Sequence, residues 1–386
     1  MKICFVAPYY DARRATPDHT AYLEQFPIHS ELPRAVAALG HTVDVVYHYP
    51  YAGRLERDGV RHWFEPPGVG AHQLGRLAQR FGREAALFTP AISAARRGRA
   101  LAPDIVHAHG LVLTWNLFWL RMLGARAAPL VLHYHGGYPA TQPLARLVQR
   151  ANVHSCAMSL FTTKAHAEPF VQAGMLRPEQ IAELIETSSH FAMLPQHTAR
   201  QITGMVGNPV VLSAGRLDPI KDPFTMLRGF EQVAAVWPQA RLYLFYLTND
   251  LEPQMRAWLE ERPALAERVI FRGRAPLAEM EAIYSSADFV VQASLREFSG
   301  CAILEAMSCG AIPILSDIPS FRRMTNAGMV GRLFPVGESA ALAHALLSYP
   351  RETLYHERYR TRAWFEQELS FAAMAAQLER IYCQLA

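Results

Sequence analysis

The sequence predicts two consecutive α/β domains, each a Rossmann-like, doubly wound parallel sheet with helices on both faces. Short apolar runs alternate with helical patterns along the whole chain, and such runs are typical of strands buried on both sides. The chain has 386 residues, of which 51% are hydrophobic and 19% charged, so it can form large cores. We expect the two domains to face a central cleft at the carboxyl ends of their strands, where α/β proteins bind ligands.

The first domain is predicted over residues 1–197. Its helical patterns cover Glu24–Leu39, Leu111–Leu123 and Ala165–Ala173. Its predicted strands are Lys2–Ala7, Thr42–Tyr47, Asp104–Ala108, Leu130–His133, Ser159–Thr163 and Ala182–Glu186.

The second domain is predicted over residues 198–368, since periodicity is lost near Pro195–Gly207. Its helices are predicted at Pro223–Val236, Leu277–Ser285 and Gly300–Cys309. An amphipathic helix within 369–386 follows the second sheet, and we expect it to pack back on the first domain. The predicted strands are Pro209–Ala214, Arg241–Phe245, Arg268–Phe271, Phe289–Ala293 and Ile312–Leu315.

Charge and cysteine content narrow the class of protein. A net charge of +4 weakly favours an anionic ligand and does not indicate nucleic acid. The five cysteines are scattered without a CxxC pair, which argues for a reducing compartment and against a disulfide framework or structural zinc site. The N-terminal apolar run is too short for a signal peptide. We therefore expect a cytoplasmic protein.

A strand-to-helix loop in the second domain carries two cations. Arg216 and Lys221 lie in GRLDPIKDP, directly after a predicted strand, and could converge on one diphosphate. Lysine is rare here: the sequence has 38 basic residues, of which only Lys2, Lys164 and Lys221 are lysines. The alternative is an ordinary solvated loop, and the rarity of lysine favours phosphate binding.

The next loop of this kind carries two glutamates, Glu297 and Glu305, in SLREFSGCAILEA. Ser299 is predicted to cap the helix that follows, and the amides after it would form an anion site. Glu297 could accept hydrogen bonds from sugar hydroxyls and Glu305 from ribose hydroxyls. Alternatively both are solvated charges, although the otherwise apolar run around Glu305 argues against that.

These segments, with VIFRGRAP, GMVGRLF, IVHAHG and VLHYHGG, resemble family-4 retaining glycosyltransferases of the GT-B architecture. The resemblance implies that Arg216 and Lys221 hold the donor diphosphate and that Glu305 holds the ribose. It also implies that Glu297 contacts the donor sugar with the amides of Phe298, Ser299 and Gly300, and that Gly273–Arg274 borders the nucleobase.

The implied activity is transfer of a sugar from a nucleotide diphosphate sugar to an acceptor hydroxyl, with retention of configuration and with neither metal nor cofactor. Glu297, His135, Arg216 and Lys221 are the implied catalytic residues. Two alternatives remain: a sugar-nucleotide epimerase of the same architecture, and a non-catalytic nucleotide-sugar-binding protein.

Histidines are concentrated in the first domain, where fourteen of the sixteen precede residue 200. His107, His109, His133 and His135 follow two predicted strands that we expect to be neighbours. Alternate residues of a strand share a face, so these imidazoles could cluster and bind a metal. Because no acidic or cysteine ligand accompanies them, we favour structural roles for His107 and His109. His135 matches a family histidine near the transferred sugar.

Two further segments are predicted to contact partners. Many relatives carry paired glycines after the first strand, whereas this chain carries Tyr9, Tyr10 and, later, His19, which suit acceptor recognition. The stretch Ala71–Ala100 has six arginines and one acid, Glu84, with apolar residues at helical spacing. It is either a helix packed on the sheet with solvated arginines, or a contact with an anionic acceptor or the inner membrane face.

Overall fold

The computed structural model describes residues 1–9, 15–68, 89–123 and 128–386. The chain divides into two compact units, unit 1 (1–187 with 371–386) and unit 2 (188–370). Both are parallel-sheet α/β domains, which confirms the predicted fold class. None of the helices in these described ranges combines the length and apolarity that crossing a bilayer requires.

Unit 1 contains one eight-stranded sheet. Its strands are β1 (Lys2–Ala7), β2 (Thr42–His48), β3 (Gly53–Arg57), β4 (Val60–Glu65), β5 (Ile105–His109), β6 (Leu130–His133), β7 (Met158–Phe161) and β8 (Ile181–Glu183). Their order is β3-β4-β2-β1-β5-β6-β7-β8, and every pair is parallel except β3 with β4.

Seven helices within the described part of the chain cover this sheet: α1 (His19–Gln25), α2 (Pro27–Ala38), α3 (Ile92–Ala100), α4 (Thr114–Leu123), α5 (Pro143–His154), α6 (Lys164–Gln172) and α16 (Phe371–Leu385). The last packs against α2, so the C-terminal helix belongs to unit 1. A short 3₁₀ turn, Pro178–Gln180, precedes β8.

Unit 2 contains a six-stranded, all-parallel sheet in the order β11-β10-β9-β12-β13-β14. Its core packs helices against strands that are almost wholly buried. The strands are β9 (Val210–Gly215), β10 (Arg241–Tyr246), β11 (Val269–Gly273), β12 (Phe289–Gln292), β13 (Ile312–Ser316) and β14 (Arg332–Phe334).

The helices of unit 2 are α7 (Gln196–Thr203), α8 (Pro223–Val236), α9 (Glu252–Glu260), α10 (Pro263–Ala266), α11 (Leu277–Ser286), α12 (Cys301–Ser308), α13 (Pro319–Met324), α14 (Ser339–Leu347) and α15 (Leu354–Trp364). Two 3₁₀ turns, Pro219–Lys221 and Arg351–Thr353, and a π-helical turn, Phe365–Leu369, complete the unit.

The division between the units falls after Thr187, ten residues before the predicted boundary at 197. Asp288 explains why α7 lies in unit 2. Its carboxylate accepts hydrogen bonds from Gln196 Nε2 at 2.8 Å, from Arg200 at 2.7 Å and from the Val210 amide at 2.7 Å. One buried carboxylate thus joins α7 to the start of β9.

We predict that Asp288→Ala lowers the unfolding free energy of unit 2 by about 2–3 kcal/mol, because several charge-assisted hydrogen bonds and a buried backbone amide lose their acceptor. Chemical denaturation measures the loss. The exposed Asp250 of the same unit is the control, and an Asp288→Ala variant as stable as Asp250→Ala would contradict this role.

Candidate active site

Unit 2 contains a cavity of about 500 Å³ at the carboxyl ends of β9, β10, β11 and β12. The donor-site residues predicted from the sequence line it, with the exception of Phe298. Those brought together there are Arg216, Lys221, Gly273, Arg274, Glu297, Ser299, Gly300 and Glu305.

The loop after β9 is shaped by a carboxylate. Asp218 accepts hydrogen bonds from the amides of Ile220 at 3.0 Å and Lys221 at 3.1 Å, and this closes the turn. Arg216 lies 3.2 Å from Asp218 and its side chain is 52% exposed, so it keeps donors for a ligand. Asp222, with φ of +43°, then caps α8 by accepting from Thr225.

Lys221 forms an ion pair with Glu297, whose carboxylate also accepts a 2.8 Å hydrogen bond from Ser294 Oγ. A backbone hydrogen bond of 2.8 Å, from the Leu295 amide to the Ile220 carbonyl, joins the same two loops. The two predicted ligand-binding loops are therefore one connected structure.

The predicted cap at Ser299 is wrong. Helix α12 begins at Cys301, and Gly300, with φ of +61°, precedes it without any side-chain cap. Glycine adopts this left-handed conformation without strain, which lets the helix start one residue later. The uncapped N-terminus lines the cavity, and its positive end favours a bound anion.

Glu305 accepts a 2.8 Å hydrogen bond from the hydroxyl of Tyr284. Burial raises the pKa of the Glu305 carboxyl, although the Tyr284 hydrogen bond opposes that shift. The sequence reasoning missed Tyr284, since a tyrosine before a buried strand belongs to no motif. Tyr246, at the end of β10, was also missed, although its position at a strand end is a usable signal.

In unit 1, the four predicted histidines form one cluster. His107 accepts from or donates to Tyr382 at 2.6 Å and contacts His133 at 3.3 Å, and His133 reaches the Ile185 carbonyl at 3.2 Å. Burial lowers the pKa of His107 to about 3 and holds those of His109 and His133 well below the usual range.

A second chain of contacts ends at His135. His109 Nδ1 lies 2.8 Å from His135 Nε2, and His135 Nδ1 lies 3.2 Å from the carboxylate of Glu186. A donor at Nδ1 toward Glu186 leaves Nε2 of His135 as an acceptor. Glu186, which sequence reasoning did not single out, therefore orients His135.

Three imidazoles of this cluster lie close enough together to share a metal ion. His107, His109 and His133 could each offer one ligand atom, and these atoms lie within 4.8 Å of one another. His109 Nε2 is buried without a hydrogen-bond partner. His107 and His133 can both be neutral and fully hydrogen-bonded. Tyr382 then donates to His107 Nδ1, His107 Nε2 donates to His133 Nδ1, and His133 Nε2 donates to the Ile185 carbonyl. These contacts agree with the structural role predicted for His107, and His109, for which the same role was predicted, has a partner at Nδ1 but not at Nε2.

The predicted acceptor residues have different surroundings. Tyr9 is half-buried just after β1, and Tyr10 lies outside the described residues. The ring of His19 packs 4.1 Å from that of Phe64, and its Nε2 lies 3.2 Å from the Tyr51 carbonyl. These contacts give His19 a packing role at the start of α1.

The basic stretch Ala71–Ala100 is described only from residue 89 onward, and residues 71–88 lie outside the described ranges. In α3, Arg97 pairs with Glu65 at 2.6 Å and lies 4.7 Å from the centre of the Trp63 ring. Arg96 and Arg99 are exposed. One of the three described arginines therefore has a structural role.

Two doubly wound units, one with this cavity at its strand ends, define a protein of the GT-B class. Residues 208–350 match the family described as glycosyl transferases group 1, and residues 29–184 match the glycosyl transferase 4-like domain. The chain belongs to the group 1 glycosyl transferases of the family-4 type, as its sequence motifs predicted.

Two curated relatives illustrate the likeness. A phosphatidyl-myo-inositol mannosyltransferase of Mycobacterium leprae is 31% identical over 45% of this chain and 46% of that protein. A GDP-mannose:cellobiosyl-diphosphopolyprenol alpha-mannosyltransferase of Xanthomonas campestris is 28% identical over 59% of each. The matches thus span about half the length of these relatives.

HepE of Anabaena, solved with UDP and glucose, has the same fold, with a TM-score of 0.66, 19% identity and 100% coverage of both chains.

We predict that unit 1 loses stability as the pH falls from about 6.5 toward 3. The folded pKa of His107 is depressed, so the unfolded state binds a proton that the folded state excludes. For His107, whose folded pKa is about 3, the lost protonation costs about 2 kcal/mol at pH 5. Urea denaturation at pH 7 and pH 5 of His107→Gln should show a shallower pH dependence than wild type. Exposed His154→Gln is the control, and equal slopes for both variants would contradict the assignment.

Proposed function

We propose that the protein is a retaining glycosyltransferase that moves a hexosyl group from a nucleoside diphosphate sugar to an acceptor hydroxyl, without a metal ion. One observation carries the proposal: a single cavity combines Arg216, Lys221 and the N-terminus of α12 with two carboxylates, Glu297 and Glu305. Cations and helix amides suit a diphosphate, whereas carboxylates suit hydroxyl groups.

The charges fit a leaving diphosphate. In the reaction, the bond between the sugar's anomeric carbon and the phosphate oxygen breaks, and the acceptor oxygen forms a bond to that carbon. The acceptor proton passes to the leaving phosphate. Arg216, Lys221 and the end of α12 would stabilise the negative charge that develops there. These groups supply the positive charge that a metal supplies in other enzymes, which supports the metal-independent form of the proposal.

The two carboxylates divide the remaining roles. Glu305, beside Tyr284 in the cavity, would accept from the ribose hydroxyls, and Glu297 would accept from the hexose. Gly273 and Arg274 would border the base. His135, oriented by Glu186, is the proposed catalytic residue of unit 1. The Xanthomonas campestris relative is named for GDP-mannose, which makes GDP-mannose the first donor to test, and HepE, solved with UDP and glucose, makes UDP-glucose the second.

We predict net retention at the anomeric carbon and full activity in EDTA. A screen of nucleotide sugars with hydroxyl acceptors identifies the reacting pair, and proton NMR couplings of the fresh product report the anomer. Inversion, or activity lost in EDTA and restored by Mn²⁺, would contradict this mechanism. Conversion of the donor to an epimer without any acceptor would replace it with the epimerase alternative.

We predict that Glu305→Ala weakens donor binding by about 1.5–3 kcal/mol, since a charged acceptor of the ribose hydroxyls is lost. Tyr284→Phe should cost less, because the carboxylate remains and loses only its orienting hydrogen bond. Calorimetry with the nucleoside diphosphate sugar measures both. Glu279, exposed on α11, provides the matched control variant Glu279→Ala.

An independent readout uses the cysteines. Cys301 and Cys383 are exposed, while Cys4, Cys156 and Cys309 are buried. Because Cys301 lines the cavity, bound donor should slow its alkylation and leave Cys383 unchanged. If the donor protects neither residue, or protects both equally, the cavity is not the donor site.

A further inference from the structure

Helix α5 of unit 1 has an inverted amphipathic pattern. Its buried residues include two amides, Gln149 and Asn152, while Leu144 and Leu147 are 65% and 66% exposed. Both amides have partners. Gln149 accepts from the Ala140 amide at 2.7 Å, and Asn152 donates to the Thr114 carbonyl at 2.8 Å. These hydrogen bonds hold the face with Gln149 and Asn152 against unit 1, so Leu144 and Leu147 lie on the solvent-exposed face of the helix.

The same outward surface is cationic. Arg146 and Arg150 are exposed on α5 beside the leucines. Between Glu84 and Glu168 the sequence contains one acidic residue, Asp104, whose carboxylate accepts a 2.7 Å hydrogen bond from the Lys2 amide. Four exposed arginines lie on the described helices of that stretch, Arg96 and Arg99 on α3 and Arg146 and Arg150 on α5. Arg97 of α3 pairs with Glu65 of β4, and α3, α4 and α5 themselves carry no acid.

Helices α3, α4 and α5 form one layer, in which α4 packs against both neighbours. Met122 of α4 is 40% exposed, and Tyr138, in the segment between β6 and α5, is 56% exposed. Tyr138 follows His135 by three residues. The exposed apolar residues and the arginines thus share the layer that adjoins the segment carrying the proposed catalytic histidine.

We propose that this layer, with Leu144 and Leu147 as its apolar anchor, binds the surface of an anionic lipid bilayer. The proposal rests on the proposed function, because it names the acceptor class as a hydroxyl-bearing lipid held in that bilayer. Arginines attract anionic headgroups, and the leucines with Tyr138 enter the boundary between headgroups and acyl chains.

A bilayer suits the surface better than a nucleic acid does. Polyanions bind through arginine and lysine, and exposed leucines gain nothing from phosphates. An anionic lipid surface binds both arginines and leucines, since burial of apolar area adds to the electrostatic attraction. The two relatives described above are named for phosphatidyl-inositol and diphosphopolyprenol acceptors, which is consistent with a lipid acceptor.

The test is co-sedimentation of the full chain with vesicles of phosphatidylcholine alone and of an equimolar mixture with phosphatidylglycerol. We expect the wild type to bind the mixed vesicles and to be weakened by salt, because salt screens the arginines. The Leu144→Ser/Leu147→Ser variant should partition at least about tenfold less well, from the loss of apolar burial. Arg146→Gln/Arg150→Gln should lose the preference for anionic lipid.

The matched control is Ile202→Ser/Val206→Ser, which changes an aliphatic pair on unit 2 with exposed fractions of 64% and 67%. It should bind vesicles as the wild type does. All three variants should keep their melting temperature, because the changed side chains are exposed, and should keep wild-type donor binding in calorimetry. Vesicle binding and donor binding are measured separately, so failure of the surface and failure of the proposed function are distinguishable.

Several results would overturn the proposal. These are equal binding of the wild type to neutral and anionic vesicles, binding that the leucine variant retains, or binding of wild type to nucleic acid but not to vesicles. Loss of vesicle binding in the unit 2 control as well would show that any exposed aliphatic pair produces the effect, and would equally remove the assignment to α5.

Discussion

The ion pair between Lys221 and Glu297 is the contact on which the cavity of unit 2 depends. It joins the loops that follow β9 and β12, which are neighbouring strands, and the backbone hydrogen bond from Leu295 to Ile220 reinforces it. Parallel strands end at one edge of a sheet, so both loops start from the same edge. The pair then fixes the cation and the carboxylate at a set separation, and α12 starts from the second loop.

The pair also affects how much positive charge each group contributes to the cavity. Glu297 offsets part of the Lys221 charge and Asp218 part of the Arg216 charge, while Arg274 and the end of α12 add further positive potential in the cavity. Glu305 lies beside Tyr284, and burial raises the pKa of its carboxyl, as expected where little water reaches the group. An anionic ligand that carries hydroxyl groups suits this arrangement, and the proposed nucleoside diphosphate sugar has that composition.

The sequence predicted elements whose apolar pattern faces the core, and missed those whose pattern does not. The central strands of both sheets and the loops with Arg216 and Glu297 follow from buried apolar runs and from glycine positions. The edge hairpin β3–β4 was missed because its charged residues alternate at the border of the sheet. Helix α5 was missed because its leucines face outward and its amides inward. Tyr284 and Glu186 act through hydrogen bonds between residues far apart in sequence, which no local pattern records.

Polar groups at strand ends need hydrogen-bond partners in unit 1 as well, where side chains and backbone of the chain itself supply them. Imidazoles at the ends of β5 and β6 are buried and held neutral, which costs free energy unless hydrogen bonds replace water. Ile185 and Tyr382 supply those bonds, and Tyr382 lies on the C-terminal helix α16. A need for polar partners within the first sheet therefore helps to explain why the last helix of the chain returns to unit 1. The outermost histidine, His135, is the member of this network that remains partly exposed, with 22% of its side chain accessible, and so is the one that can meet a substrate.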